Sequence, residues 1–328
     1  MRVLLYHEDT RGPGQGGGAE SMLRDLTEAL KRRGHTVAWL HSEHIAKAID
    51  EFKPDIVQVG TIFNKMGWGP LEWLQSNHIP HAQAIMDYYP FCRTRMLLIN
   101  WDEPCSAVDG VCNPACDRRA PIHWLQTVNK SPVIALNEYS ADIYKRNGMR
   151  ADYIGELGVD TDLFAPDPTQ RHAEIQIYTS SAWAAYPAKG MKYLKAAMEG
   201  LPFKVKLMTG LSREQVALGL KQADIYVFPS VYEETWGLCL QEAMASGCAV
   251  VAADVAGARA QIHDGIGILV AKRNVDKLKC GIMKLVGDAA LRCSMGEKAR
   301  AHVIAHHGLD SMGKRYEDIY KDVIARYT

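Results

Sequence analysis

Residues 229–253 have the sequence PSVYEETWGLCLQEAMASGCAVVAA, and this stretch is the most informative part of the chain. An apolar run precedes it at residues 224–228, and a second one closes it at residues 249–253. Between them, Gly237 and Leu238 mark the entry to a helix, so the pattern predicts a strand, a loop, a helix and a strand. The first N–H groups of a helix lack internal partners and point along a favourable dipole. The loop therefore predicts an anion site that suits phosphate.

Two glutamates lie in the same stretch, Glu234 and Glu242, with seven residues between them. A carboxylate beside a phosphate site cannot itself bind phosphate, and it accepts hydrogen bonds from hydroxyl groups instead. Phosphate beside hydroxyls is the chemistry of a nucleotide sugar. The alternative is an ordinary βαβ crossover whose glutamates are only solvated.

The whole stretch resembles the E-x7-E region of the retaining GT-B glycosyltransferases of family 4. A pair of glutamates at this spacing is weak evidence by itself. The resemblance rests on the residues around the pair, which match the family in order. The matching residues are Pro229, Ser230, Glu234, Gly237, Leu238, Glu242, Ala243, Met244, Ala245, Gly247, Val250, Val251 and Ala252.

Composition limits the function classes. A length of 328 residues predicts two domains. The chain has 38 Lys plus Arg and 38 Asp plus Glu, which gives no overall attraction to nucleic acid or to anionic membranes. No apolar run is long enough for stable membrane insertion, and the start MRVLLYHED predicts a first strand and no signal peptide. We therefore expect a cytoplasmic protein.

A glycine-rich loop follows the first predicted strand, at residues 12–20, and a helical pattern follows the loop. Such a loop lets the backbone approach a ligand closely, although a flexible connection is the alternative. Gly17 and Gly18, with the Ala19 and Glu20 that follow, resemble the GGAE loop of the same family. The resemblance implies that this loop lies across a cleft from the E-x7-E helix and closes on the donor.

The fourth predicted strand, at residues 79–85, ends in Met86 and Asp87. Related sequences commonly have histidine at the first of these positions, close to the donor sugar. We expect Asp87 to take over its catalytic contact, or the acceptor to differ.

Lys189 lies in a Pro-x-Lys-Gly sequence at a predicted helix start, where the family resemblance implies that it faces a diphosphate. The alternative is a solvated surface lysine. Related chains carry an arginine a few residues earlier, and residues 181–185 contain none. Lys189 and the helix N-terminus then stabilise the leaving group alone, or another basic residue substitutes. Ala260 also stands where related chains often have glutamate.

Residues 91–119 are polar, irregular and rich in cysteine, which is typical of a functional or cross-linked excursion. The segment contains Cys92, Cys105, Cys112 and Cys116. Their spacing leaves three alternatives open: a structural metal site such as zinc, free thiols, or disulfides. The other cysteines have apolar neighbours and are predicted to be core thiols: Cys239, Cys248, Cys280 and Cys293.

The predicted fold class is α/β, as two doubly wound Rossmann-like domains that face an interdomain cleft. A Gly/Pro-rich segment at residues 155–166 resembles the family's linker. We expect a first, acceptor-side domain at 1–155, a nucleotide-sugar domain at 156–308, and a final helix at 309–328 that crosses back.

The resemblance implies transfer of a sugar from a nucleoside diphosphate sugar to an acceptor hydroxyl, with retention at the anomeric carbon. It implies that Glu242 binds the ribose hydroxyls and Glu234 the hydroxyls of the donor sugar. Thr235 is a further candidate for donor binding. Gly237 and Leu238 offer N–H groups to phosphate, with no metal required for catalysis.

Two other classes stay open: another enzyme on this fold, such as a nucleotide-sugar epimerase or a phosphorylase, and a non-catalytic nucleotide-sugar-binding protein. The sugar, the base, the acceptor and the oligomeric state are not specified by the sequence.

Overall fold

The protein is described from a computed structural model. The structure describes residues 1–8, 17–42, 44–60, 66–99, 102–113, 115–170, 172–181 and 185–327. Two predicted features lie partly outside these residues: the glycine loop at 12–16 and the arginine-free loop at 182–184.

The described residues of the first half form a six-stranded sheet and five helices. The strands in this half are β1 (Arg2–Tyr6), β2 (Thr36–Leu40), β3 (Ile56–Val59), β4 (His81–Ile85), the short pair β5 (Leu98–Ile99) and β6 (Glu103–Pro104), β7 (Val133–Ala135) and β8 (Tyr153–Ile154). The sheet has the order β2-β1-β3-β4-β7-β8, and all its neighbours are parallel. The helices are α1 (Gly18–Arg32), α2 (Ile45–Phe52), α3 (Gly69–Ser76), α4 (Ile122–Val128) and α5 (Glu138–Arg146).

The second half forms a five-stranded parallel sheet in the order β10-β9-β11-β12-β13. Its strands are β9 (Ile177–Ser180), β10 (Val205–Met208), β11 (Ile225–Phe228), β12 (Ala249–Ala253) and β13 (Ile268–Val270). Its helices are α6 (Met191–Met198), α7 (Arg213–Gln222), α8 (Leu238–Ala245), α9 (Ala256–Gln261), α10 (Val275–Gly287), α11 (Ala289–His307) and α12 (Leu309–Ala325). Short 3-10 turns lie at Pro168–Gln170 and Pro187–Lys189. Two Rossmann-like parallel sheets confirm the predicted fold class.

The local sequence explains the central elements. Every residue of β11 and β12 is buried, as expected for parallel strands that are covered by helices on both faces. Helix α7 begins at a capping box, in which Ser212 and Gln215 each bond the other's backbone N–H. Helices α3 and α4 were not predicted, because each is short and begins at a proline turn signal.

The last helix, α12, packs on the first half of the chain. The Tyr320 hydroxyl donates to Gln58 Oε1 at 2.6 Å, and the Tyr316 hydroxyl donates to the Gly155 carbonyl at 2.8 Å. These contacts tie the final helix to the first sheet, while the domain boundaries at 155 and 308 stay predictions. No helix in the described ranges is long and apolar enough to cross a membrane.

Two of the cysteines that were predicted to lie in the core do not. Cys280 and Cys293 are exposed on α10 and α11, so that prediction is wrong for them. Each of these helices buries only some of its residues against the rest of the protein. An apolar sequence neighbour does not fix which face of a helix a residue occupies. Cys248 is buried and Cys239 is half-buried.

Candidate active site

A cavity of about 930 Å³ is bordered by residues from both halves of the chain. Its wall includes the ends of β4, β9, β10 and β11, which is where ligands bind in open α/β sheets. Every residue that the sequence predicted for catalysis or donor binding borders this cavity: Gly17, Gly18, Asp87, Lys189, Glu234, Thr235, Gly237, Leu238 and Glu242.

Lys189 and Glu234 form an ion pair on the wall of the cavity. Lys189 Nζ donates to Glu234 Oε1 at 2.8 Å, and the ammonium also lies over the Tyr232 ring at 5.0 Å from its centroid. Burial favours loss of the proton, but the neighbouring Glu234 carboxylate outweighs it and raises the pKa of Lys189 above its ordinary value. The lysine is therefore a fixed positive charge in the cleft and not a solvated surface residue.

The turn that carries Lys189 is held against the E-x7-E loop. Gly190 has φ +70°, and a Cβ at this residue would lie 1.8 Å from the Pro229 carbonyl oxygen. Val231 N donates to the Ala188 carbonyl at 2.9 Å, which joins the two segments directly. Only glycine fits this approach, and the close packing sets the position of the adjacent lysine.

Glu242 points into the cavity from α8 with its side chain free of protein partners in the described part of the chain. The residue is only 9% exposed. Burial raises the pKa of Glu242 to about 8, against the lowering effect of Arg213, while Asp25 raises it further. A buried carboxyl without a partner is suited to a ligand that brings hydroxyl donors.

The N-terminus of α8 also borders the cavity. Gly237, the residue before the helix, has φ +89°, and a Cβ there would lie 3.0 Å from the Phe228 ring. Gly18, the first residue of α1, faces this end, and a Cβ at Gly18 would lie 3.8 Å from Leu238 Cδ1. Two helix N-termini thus approach each other across the cleft, and both favour negative charge.

Thr235 connects the two halves of the chain. Its hydroxyl donates to the Met86 carbonyl at 2.6 Å, and its carbonyl accepts from Asn137 Nδ2 at 2.5 Å. The Thr235 hydroxyl therefore donates its proton to the first half of the chain. Thr235 both joins the two halves and borders the cavity.

Asp87 lies at the cavity wall on the side of the first sheet. Its Oδ1 accepts from Tyr89 N at 2.8 Å, and its Oδ2 lies 3.7 Å from Arg95. Burial raises the pKa of Asp87, and the Arg95 guanidinium opposes that shift. Arg95 itself borders the cavity.

The structure also shows an ion pair at the cavity wall that the sequence does not predict. Arg213, at the start of α7, donates from one terminal nitrogen to both carboxylate oxygens of Asp25 on α1, at 2.7 Å each. Burial raises the pKa of Asp25 to about 6, and Arg213 opposes it. The available signal was a lone acid on the apolar face of α1, beside Met22 and Leu26.

The cysteines of the segment 91–119 come together as a group. Cys92, Cys105, Cys112 and Cys116 border a second cavity of about 200 Å³. All eight cysteines have free thiols. Burial raises the pKa of Cys112, and the other three thiols add to the shift. Among the described residues, no three His, Cys, Asp or Glu side chains stand close enough to hold a metal ion directly.

Comparisons with known proteins agree with this arrangement. Residues 188–302 match the family model "Glycosyl transferases group 1". D-inositol 3-phosphate glycosyltransferase from Corynebacterium kroppenstedtii is 35% identical over 37% of this chain and 27% of its own length. For three of the curated relatives, the matched part spans 27% to 32% of their length.

Two solved structures have the same fold across the chain. Sucrose-phosphate synthase from Thermosynechococcus elongatus superposes with a TM-score of 0.77 at 16% identity, covering 99% of both chains. Anabaena HepE, solved in complex with UDP and glucose, gives a TM-score of 0.72 at 15% identity, covering 98% of this chain and 99% of its own. The fold is that of the GT-B glycosyltransferases, and within it residues 188–302 are similar to glycosyl transferases group 1.

Proposed function

We propose that the protein is a retaining glycosyltransferase of family 4, which moves a sugar from a nucleoside diphosphate sugar to an acceptor hydroxyl. One observation carries the proposal. A charged lysine, two glutamates and a helix N-terminus border the same cavity at the carboxyl ends of both sheets. The set provides positive charge for a diphosphate and acceptors for hydroxyl groups, which are the two requirements of this donor class.

The donor occupies the second-half wall in this proposal. Glu242 accepts hydrogen bonds from the ribose, which gives its buried carboxyl the partners that it does not find among the described residues. Glu234 accepts hydrogen bonds from the hydroxyls of the sugar, while its Oε1 also accepts from Lys189 Nζ. Gly237 and Leu238 present N–H groups to the diphosphate.

The chemistry balances without a metal. The bond between the anomeric carbon and the diphosphate oxygen breaks, and the acceptor oxygen bonds to the same face of that carbon. The acceptor's proton goes to the departing phosphate oxygen. Lys189 and the α8 N-terminus stabilise the charge that develops there, which is the work a divalent cation does in other sites.

Arg95 supplements Lys189 in this proposal. Residues 181–185 lack the arginine of related chains, and Arg95 approaches the cavity from the first half, next to Asp87. A guanidinium binds phosphate oxygens with two parallel hydrogen bonds, which an ammonium cannot do.

The names of similar proteins guide the choice of donor. The Corynebacterium relative is called a glycosyltransferase, and the Anabaena structure contains UDP and glucose. UDP-glucose is therefore the first donor to test, alongside GDP-, ADP- and dTDP-sugars.

A binding screen followed by product analysis tests the proposal. The native state is expected to gain thermal stability from one class of nucleotide sugar. With an acceptor present, NMR is expected to show a new glycosidic bond with the donor's anomeric configuration. An inverted product would contradict retention. Donor binding without transfer or slow hydrolysis, across a broad acceptor panel, would contradict the transferase.

A further inference from the structure

The segment 91–119 has little regular structure of its own. Its only described sheet is the short β5–β6 pair, and a single bridge between Cys92 and Arg119 closes its base. Phe91, Leu97 and Val108 anchor the segment in the core of the first half. A segment with so little regular structure is commonly held further by cross-links or metals.

Four thiols of this segment meet at one cavity. We call them the insertion thiols: Cys92, Cys105, Cys112 and Cys116. Cys92 and Cys112 are buried, and the other two are half-buried. The cavity measures about 200 Å³, which is ample for a single ion, and its other lining residues are Thr94, Leu97, Leu98, Ile99, Asp117 and Arg118.

The backbone at each insertion thiol is fixed by a hydrogen bond from its own N–H. The acceptors are the Tyr88 carbonyl for Cys92 at 2.8 Å, the Leu97 carbonyl for Cys105 at 2.9 Å, Asn147 Oδ1 for Cys112 at 2.7 Å and the Asn113 carbonyl for Cys116 at 3.0 Å. Only the side-chain torsion of each cysteine remains to be set, and that torsion has three staggered wells.

We propose that the insertion thiols bind one Zn²⁺ ion in a tetrahedral structural site. Zinc takes four thiolates at about 2.3 Å each, and such closed sites contribute directly to folding. The thiols border one cavity but stand too far apart to hold an ion as they are. Rotation of the side chains toward the cavity centre completes the site. Arg118 and Asp117 also border the cavity with opposite charges, so the Zn²⁺ ion itself offsets the charge of two of the four thiolates.

The site has a structural consequence for the cleft. The β5–β6 pair leads to Asp102, whose carboxylate receives Lys192 Nζ at 2.6 Å and the Tyr193 hydroxyl at 3.0 Å. Arg273 Nε donates to the Asp102 carbonyl at 2.5 Å. These three partners belong to the second half of the chain. Cys92 and Cys105 flank the β5–β6 pair in sequence, so a zinc ion bound to the insertion thiols anchors the strand pair whose neighbour Asp102 contacts the second half of the chain.

Metal analysis of the full chain, purified under reducing conditions, tests the proposal. We expect one zinc per chain, and X-ray absorption at the zinc edge with four sulfur neighbours at about 2.3 Å. Cys112→Ser and Cys116→Ser are each expected to weaken zinc binding at least about tenfold, which is a typical loss for a disturbed site. Cys280→Ser and Cys293→Ser are the matched controls, because both thiols are exposed and outside the segment; they are expected to retain full zinc.

Three outcomes would overturn the proposal. One is a folded, reduced wild type that contains no zinc and takes up none when Zn²⁺ is added. Another is a protein mass that shows disulfides among the insertion thiols after purification without reductant, with no metal. The third is iron with inorganic sulfide in place of zinc. If Cys112→Ser does not fold, the half-exposed Cys116→Ser variant and the X-ray absorption spectrum decide the question.

Discussion

Arg213 and Asp25 form a buried ion pair between the two halves of the chain, with both carboxylate oxygens 2.7 Å from the same guanidinium nitrogen. Asp25 is 2% exposed and lies on the first helix, whereas Arg213 begins α7 in the second half. Both residues influence the pKa of Glu242. This contact between the two halves is thus electrostatically coupled to the proposed ribose site.

We expect Arg213→Ala to lower the free energy of unfolding by about 3 kcal/mol, because it leaves a buried carboxyl without its partner. Lys314→Ala removes an exposed ion pair with Asp318 and is expected to cost less than about 1 kcal/mol. Chemical denaturation of both variants measures the difference. Equal losses would mean that the Asp25 pair is no stronger than a surface pair.

Nucleotide affinity is expected to rise with pH through Glu242. The raised pKa of about 8 means that the free protein holds Glu242 mostly protonated at neutral pH. Ribose hydroxyls prefer the ionised carboxylate, so binding releases a proton, and affinity increases about tenfold between about pH 7 and pH 9.

Calorimetry with nucleoside diphosphate across this pH range checks the effect. In Glu242→Gln the pH dependence of nucleotide affinity should vanish. This variant therefore separates titration of Glu242 from titration of the nucleotide itself. Arg213→Ala should move the midpoint to higher pH, because Arg213 lowers the pKa of Glu242. An identical pH profile in the wild type and in Glu242→Gln would rule out this role.

Lys189→Ala is expected to reduce turnover about 100-fold, a typical loss for a group that stabilises transition-state charge. Nucleotide affinity should change far less, since the ribose contacts remain. Lys195→Ala, on the exposed face of the following helix, is the control and should leave both quantities unchanged. Steady-state kinetics with the donor found in the binding screen measures both variants. Full turnover in Lys189→Ala would exclude a role of Lys189 in stabilising the leaving group.

Gly190→Ala tests whether close packing sets the position of Lys189. Gly190 and Gly200 have similar backbone angles, with φ +70° and +74°, but a Cβ has open space only at Gly200. Gly200→Ala should cost about 1 kcal/mol from backbone strain alone. Gly190→Ala adds a clash with the Pro229 carbonyl, so we expect a loss of about 3 kcal/mol and lower turnover. Similar unfolding free energies for the two variants would show that the turn can shift freely.

Much of the site could be predicted because its residues belong to a contiguous motif. Glu234, Gly237 and Glu242 belong to one loop and the helix that follows it. Their spacing in the sequence therefore determines their relative positions. The sequence alone could not show which of the adjacent Glu233 and Glu234 faces the cavity, and the structure does. Glu233 turns away to Lys272 and the Ala256 amide, while Glu234 faces the cavity.

Contacts between distant segments were not predictable in the same way. Asp25 and Arg213 are separated by most of the chain, and neither belongs to a motif. The Thr235 hydrogen bond to the Met86 carbonyl depends on how two sheets dock, which no local pattern encodes. Face assignment failed for Cys280 and Cys293 for a similar reason, since burial on a helix depends on what packs against it.

Calorimetric titration of the wild type and Glu242→Ala with UDP, GDP, ADP and dTDP tests the proposed nucleotide site most directly. At least one nucleotide is expected to bind the wild type, with one site per chain. The affinity of Glu242→Ala for that nucleotide is expected to be at least about tenfold weaker, from loss of charge-assisted hydrogen bonds. A folded wild type that binds none of the four, or unchanged affinity in Glu242→Ala, would contradict the proposed site.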